Sequence, residues 1–146
     1  MQLPPCPLVV ERRIEFSQTD AAGLIHFSTY FNFMESAEAE LLRSLGSSII
    51  WSEGDKMMGF PRVDCQCSFR SAVRFEDVLR IEVTVPEITE KSIHYAFRFF
   101  DPRGKLCAEG TMVTACVWGE VGKHMQAVLI PDSIREALTA WKNQAD

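Results

Sequence analysis

Residues 28–45 carry apolar side chains at the spacing of an α-helix, and this segment most constrains how the chain can fold. The positions that recur every three or four residues are Tyr30, Met34, Ala37, Leu41 and Leu45. Such spacing places them on one broad face of a helix. Ser28 is suited to cap the start of this helix, and Gly46 to end it. A helix so apolar on one face must be covered by other elements of the chain.

Strand-like segments with alternating apolar and polar residues lie on both sides of this helix. The first covers residues 8–17, with Ile14 and Phe16 alternating against charged neighbours. Four more follow, over residues 63–69, 79–85, 93–99 and 105–118. The sequence Asp101-Pro102-Arg103-Gly104 predicts a hairpin turn. For residues 47–61 we expect an irregular connection with at most one short helical turn.

A short helix that begins near Pro131 completes the expected elements, with Ile134, Leu138 and Trp141 on one face. Only one sheet is expected, so the simplest packing wraps it around the long helix. The sequence therefore predicts an α+β fold, with an antiparallel sheet wrapped around one long central helix, as a single domain over residues 1–146. Because such a sheet leaves edges and a second face, we expect a homodimer or homotetramer.

The composition narrows the functional classes. The 146 residues carry a net charge of −5, which argues against a nucleic-acid partner. The five cysteines are odd in number and lie mostly in strand-like runs, with Cys65 and Cys67 on one strand face, which indicates reduced core thiols and no metal site. The N-terminus has no signal-peptide pattern, and no apolar run is long enough to span a membrane. We therefore expect a cytoplasmic protein with no membrane partner.

The stretch QTDAAGLIHF, residues 18–27, is unusual for a plain turn or a helix cap. Together with the helix that follows, it resembles the signature of the hotdog-fold acyl-CoA thioesterases, in the 4-hydroxybenzoyl-CoA thioesterase branch. The residues that carry the resemblance are Asp20, Gly23, Leu24, Ile25, His26, Phe27, Tyr30, Glu35 and Arg43. Residues 61–83, with FEDVLRI, and the terminal IPDSIREAL extend it over residues 9–138. One departure is that many relatives carry histidine where this chain has Phe27.

The resemblance implies hydrolysis of an acyl- or aroyl-CoA thioester to a free acid and CoA. It marks Asp20 as the catalytic carboxylate, which could act as nucleophile or as general base on a water molecule. It also places the thioester carbonyl against the backbone N–H near Phe27, where a helix N-terminus favours a developing negative charge. Gly23 would let the loop approach the substrate, although any tight loop could need a glycine. His26 could assist proton transfer or could simply be a half-buried histidine at a helix start.

The remaining candidates concern substrate binding. Tyr30 could line the acyl pocket, together with Met34, Trp51, Met58 and Phe60, although all five could equally be core residues. Arg62, Arg70, Arg74, Lys91 and Lys123 are candidates for the CoA phosphates, and Lys91 with Ser92 matches the CoA-contacting turn of the family. Surface charge is an equally good reading of each basic residue. CoA is part of the substrate, so no separate cofactor is expected.

Two other functions remain open at this point. A hotdog hydratase or dehydratase typically has a histidine five residues after the aspartate, but here Ile25 holds that position and His26 lies six residues on. A non-catalytic acyl-CoA-binding domain would have no need of Asp20. Both alternatives therefore rank below the thioesterase.

Overall fold

A computed structural model describes residues 2–145 as nine strands and two α-helices. The elements are β1 (Leu8–Arg13), α1 (Ser28–Ser44), β2 (Ile50–Glu53), β3 (Lys56–Gly59), β4 (Arg62–Phe69), β5 (Val78–Ile88), β6 (Ser92–Phe100), β7 (Leu106–Ala115), β8 (Val117–Glu120), β9 (Met125–Ala127) and α2 (Asp132–Asn143). The predicted long helix, the short helix after Pro131 and the Asp101–Gly104 turn are confirmed. Neither helix is long and apolar enough to cross a membrane, within the residues described.

The strands form two antiparallel sheets, where the sequence predicted one. The larger sheet has the order β1-β5-β6-β7-β4, and the smaller has the order β2-β3-β8-β9. The prediction of an irregular connection over residues 47–61 was wrong, because β2 and β3 form a hairpin there. Gly54, with φ of 62°, and Asp55 make its two-residue turn, a geometry that glycine adopts without strain.

The first strand is also shorter than predicted. β1 ends at Arg13, and Phe16–Gln18 form a single 3-10 turn. Ile14 continues to pair with the chain before β5, since its N–H donates to the carbonyl of Asp77. Phe16 is 77% exposed and packs edge-on against Phe75. The alternation of apolar and charged residues therefore continued past the true end of the strand.

The core lies between α1 and the larger sheet. Met34, Ala37 and Leu41 are fully buried on the helix, and alternate residues of β5, such as Leu79 and Ile81, are fully buried opposite. This alternation, apolar inward and polar outward, is what a sheet with one covered face requires. The packing fixes the position of the helix N-terminus relative to the end of β4, where the candidate site lies.

Met34 packs directly onto the backbone of Gly110 in β7, and this contact predicts a large packing effect. A Cβ atom at Gly110 would lie 2.0 Å from Met34 Cε and 3.1 Å from the carbonyl oxygen of Gln66. We expect Gly110→Ala to lower the free energy of unfolding by about 1–3 kcal/mol through overpacking, as measured by urea denaturation. Gly59→Ala is the control, because its Cβ would meet only ordinary contacts of 3.7 Å or more. Equal losses in the two variants would contradict the prediction.

Candidate active site

The loop that contains Asp20 is a closed turn held by its own backbone. The N–H of Asp20 donates to the carbonyl of Leu24 at 2.8 Å, and the N–H of Gly23 donates to the carbonyl of Asp20 at 3.0 Å. Gly23 has φ of 77°, a conformation that glycine adopts without a steric cost. Thr19 and Ile25 then form a bridge that closes the loop. Gly23 thus shapes the turn that carries Asp20, as the sequence suggested, but it does not line the pocket described below.

The carboxylate of Asp20 is oriented through one oxygen. Oδ1 accepts hydrogen bonds from the N–H groups of Ala22 and Leu24, at 2.9 and 3.2 Å. Oδ2 accepts no hydrogen bond from any residue between 2 and 145. The turn therefore fixes the direction of the carboxylate and leaves one oxygen available for a substrate or a water molecule.

The start of α1, at Ser28, lies eight residues after Asp20 and offers a backbone donor. The N–H of Thr29 bonds to the carbonyl of His26, and the N–H of Ser28 donates to His26 Nδ1 at 3.3 Å. Among the described residues, the N–H of Phe27 finds no acceptor. An unpaired N–H at a helix N-terminus, with the helix dipole behind it, is suited to bind a negatively charged oxygen.

Asp20, Phe27 and Tyr30 line one pocket of about 340 Å³ between the α1 N-terminus and the segment after β4. Its wall is largely apolar and includes Leu24, Ile25, Phe69, Ala72 and Val73.

The Tyr30 ring is buried, and the centroids of the Phe69 and Phe99 rings lie 5.4 and 5.0 Å from its own. Burial, and secondarily Cys107, raises the pKa of the Tyr30 hydroxyl well above its usual range. Tyr30 therefore stays neutral and serves as an apolar wall of the pocket.

His26 is adjacent to this pocket but does not line it. Its Nδ1 lies 2.7 Å from the hydroxyl of Ser28, and its ring packs against Phe27 with 4.7 Å between centroids. Because Nδ1 also accepts from the N–H of Ser28, the imidazole caps the first turn of α1. This geometry supports the structural reading of His26, and its proton-transfer role stays a prediction.

Apart from Arg70, the other predicted substrate-binding residues do not line this pocket. Lys91 lies in the turn between β5 and β6, and Ser92 begins β6, where its N–H donates to the Thr89 hydroxyl. Arg62, at the start of β4, pairs with Glu38 and Glu35 and donates to the carbonyl of Phe60. Trp51 and Met58 line a different cleft, and Met34 and Phe60 are core residues.

Arg62 belongs to a buried polar cluster beneath α1 that the sequence did not reveal. Glu38 is fully buried, and one of its oxygens accepts from Arg62. Its other oxygen, the Tyr95 hydroxyl and the Thr114 hydroxyl have no hydrogen-bond partner among the described residues. Burial raises the pKa of Glu38 to about 7, opposed chiefly by the charge of the Arg62 guanidinium. The sequence did hold one signal for this cluster. Glu38 lies four residues from both Met34 and Leu42, so its carboxylate falls on the buried face of the helix.

The sequence also did not predict the pocket wall formed by residues 69–73. The exception is Arg70, which was a candidate for binding the CoA phosphates. Arg70 lines the pocket, and its guanidinium pairs with Glu109 on β7. The N–H of Arg70 donates to the carbonyl of Cys107, so the segment after β4 is fastened to β7. This anchoring places a basic side chain at the pocket that contains Asp20. Across residues 2–145, no cluster of three metal-ligating side chains could hold a metal ion.

The antiparallel sheets and the long helix are those of a hotdog-fold domain. A solved gentisyl-coenzyme A thioesterase, BH1999, superposes with a TM-score of 0.75 and 27% identity, over 90% of this chain and 99% of that one. The model of the thioesterase-like superfamily matches residues 14–138. The chain belongs to this family.

Two curated relatives agree with this assignment. The acyl-CoA thioesterase YbgC of Haemophilus influenzae is 26% identical over 125 residues, which cover 86% of this chain and 89% of the relative. The 4-hydroxybenzoyl-CoA thioesterase of a Pseudomonas species is 29% identical over 89 residues, 58% of this chain and 62% of that one. The predicted family and the predicted class of enzyme, a thioester hydrolase, are confirmed. The roles of individual residues stay predictions.

Proposed function

We propose that the protein hydrolyses an acyl- or aroyl-CoA thioester to a free acid and CoA at the pocket lined by Asp20, Phe27 and Tyr30. The observation that carries the proposal is the meeting of two groups at one apolar pocket. These are a carboxylate with a free oxygen and a residue whose backbone N–H is unpaired at a helix N-terminus. The activities named for the relatives support it.

Asp20 can act as a nucleophile or as a general base. As a nucleophile, its free oxygen attacks the carbonyl carbon, CoA thiolate leaves and takes a proton, and water then cleaves the mixed anhydride. As a general base, it takes a proton from the attacking water and later passes that proton to the departing thiolate. In either route the carbonyl oxygen becomes negative, and the N–H of Phe27 stabilises it.

The shape of the pocket favours a compact acyl group. A volume of about 340 Å³ lies near the small end of ligand pockets, and its wall is aromatic and branched aliphatic. We therefore place an aroyl or short branched acyl group against Tyr30, Phe69 and Val73. Arg70 is the basic group nearest to this pocket, while Lys91 and Ser92 remain candidates for the CoA phosphates. A panel of benzoyl-, hexanoyl- and palmitoyl-CoA, followed by thiol release, tests this choice, and no release from any of them would overturn the proposed function.

Phe27→Pro is a direct test of the proposed oxyanion donor. Phe27 has φ of −54°, close to the value that proline adopts, and proline is well tolerated at a helix start. The substitution removes the N–H, and we expect kcat to fall about 10²–10³-fold with little change in thermal stability. Phe27→Ala, which keeps the N–H, is the control for loss of the ring. Equal kcat in the two variants would remove Phe27 from the proposed mechanism.

We also propose that α1 is the central helix around which the larger sheet wraps, and that the protein forms a homodimer or homotetramer. Complete burial of Met34, Ala37 and Leu41 supports the first point. For the second, β4 is an edge strand that carries the exposed apolar residues Val63 and Phe69. An open edge with exposed apolar residues favours pairing with a second copy.

A further inference from the structure

A second and larger cavity lies at the opposite end of α1 from Asp20. It is a cleft of about 970 Å³ bounded by the smaller sheet, the segment after α1 and the first turn of α2. It shares no lining residue with the pocket that contains Asp20. Because α1 has 17 residues, the two ends of the helix are about 25 Å apart. The cleft is therefore a separate feature of the chain.

One wall of the cleft is a continuous apolar row across three strands. Trp51 on β2 faces Met58 on β3, which in turn faces Trp118 on β8. Neighbouring strands are about 4.8 Å apart, so the row extends for about 10 Å. All three side chains are only partly buried, and all three line the cleft. The row offers two indole rings and a thioether to a ligand, groups that bind apolar and aromatic molecules well.

The other walls are held by backbone hydrogen bonds. Gly46 has φ of 80°, and the N–H of Ser47 donates to the carbonyl of Leu42, which fixes the chain as it leaves α1. The N–H of Val128 donates to the carbonyl of Cys116, and the N–H of Ile130 to that of Glu90. The cleft is thus preformed, as small-molecule sites usually are.

The polar groups of the cleft define the charge of its ligand. Among residues 2–145, Glu53 is the only charged residue in the lining, and Lys56 stands directly opposite it in the β2–β3 register. The other polar side chains are the hydroxyls of Ser47, Ser48 and Ser133. None of the basic residues that the structure describes lines the cleft, so it does not suit the phosphates of CoA or a carboxylate.

We propose that this cleft is a second binding site, which takes an uncharged, largely apolar small molecule stacked on the row of Trp51, Met58 and Trp118. The serine hydroxyls supply hydrogen bonds to a single polar group of the ligand. The site is independent of the proposed hydrolysis, because none of its residues touches the pocket that contains Asp20.

The test uses two dyes with the same ring system. N-phenyl-1-naphthylamine is uncharged, whereas 8-anilino-1-naphthalenesulfonate adds one sulfonate. Titration of the purified protein, followed by energy transfer from tryptophan, should show saturable binding of the uncharged dye. Binding of the sulfonate should be at least tenfold weaker. Equal or tighter binding of the sulfonate, or no saturable binding of the uncharged dye, would overturn the proposal.

Paired variants locate the dye. Leu129 lines the cleft and is 62% exposed, so Leu129→Arg adds a charge there without disturbing the core. We expect it to weaken binding of the uncharged dye at least tenfold. Val121→Arg, at a similarly exposed position outside the cleft, should leave the affinity within twofold. If Ala72→Arg, in the pocket with Asp20, abolished binding while Leu129→Arg did not, the dye would bind at that pocket and the inference would fail. Thermal melting of each variant verifies folding.

Discussion

Replacing Asp20 by asparagine is expected to lower kcat for thioester hydrolysis by about 10²–10⁴-fold, the usual contribution of a positioned acid–base group. Asparagine keeps the shape of the side chain and an Oδ1 that can accept from the N–H groups of Ala22 and Leu24. It lacks the free carboxylate oxygen that attacks the carbonyl or takes a proton from water. Release of free CoA thiol under saturating substrate measures the loss.

A second aspartate provides a matched control. Asp101 Oδ1 accepts from the N–H groups of Arg103 and Lys105, two and four residues later, in the same pattern as Asp20. Asp101 lies in the β6–β7 turn and lines no part of the pocket that contains Asp20. Asp101→Asn should therefore keep full activity. If both variants kept near wild-type kcat, Asp20 would only hold its turn and would not be the catalyst.

The same pair of variants separates the alternative functions. A domain that only binds acyl-CoA would release no thiol in either form, yet both forms would bind a non-hydrolysable acyl-CoA analogue alike. A hydratase would consume an enoyl-CoA without releasing thiol. Among residues 2–145, Asp20 Oδ2 has no hydrogen-bond partner, which leaves this oxygen available for direct attack or for water activation.

The long helix could be predicted because its signal is local. Apolar residues at every third or fourth position, ended by Gly46, describe α1 without knowledge of any other element. The β2–β3 hairpin was missed although Gly54-Asp55 is a favourable two-residue turn. Its strands have only four residues each, too few for an alternating pattern to be distinguished from a loop. The second sheet was missed for the same reason.

Part of the candidate site could likewise be predicted from the sequence, and part of it could not. Asp20, Phe27 and Tyr30 are close in sequence, so a loop followed by a helix brings them together. The opposite wall comes from residues 69–73, about forty residues later, and depends on how β4 packs beside β7. That register is decided by tertiary contacts and is not readable from either segment alone.

Arg62 makes a contact that the local sequence could not reveal. As a lone basic residue it resembled a phosphate ligand, but its guanidinium is bound to Glu38, 24 residues earlier and on the buried face of α1. A buried carboxylate with a guanidinium partner contributes to the structure of the core. Its existence could not be inferred before the helix was placed on the sheet.

The buried cluster makes stability depend on pH through Glu38. Burial raises its pKa in the folded protein to about 7, from 4.5, so between these values the folded state holds a proton that the unfolded state releases. The stabilisation is fully present below about pH 4.5 and is lost as the pH rises through 7, by about 3 kcal/mol in all. The charged and titratable groups that face Glu38 are Arg62 on β4, Glu35 on α1 and Tyr95 on β6.

Glu38→Gln removes this proton while keeping an oxygen that can accept from Arg62. Its free energy of unfolding, measured with urea from about pH 4.5 to 8, should lack the decline that Glu38 causes in the wild type. The difference between the two proteins should therefore grow by about 3 kcal/mol in favour of the variant as the pH rises. Glu40→Gln is the control, since Glu40 lies on the same helix, is partly exposed and pairs with Arg12. Parallel pH curves for wild type and Glu38→Gln would show that the cluster does not hold this proton, and that Arg62 keeps Glu38 ionised in the core.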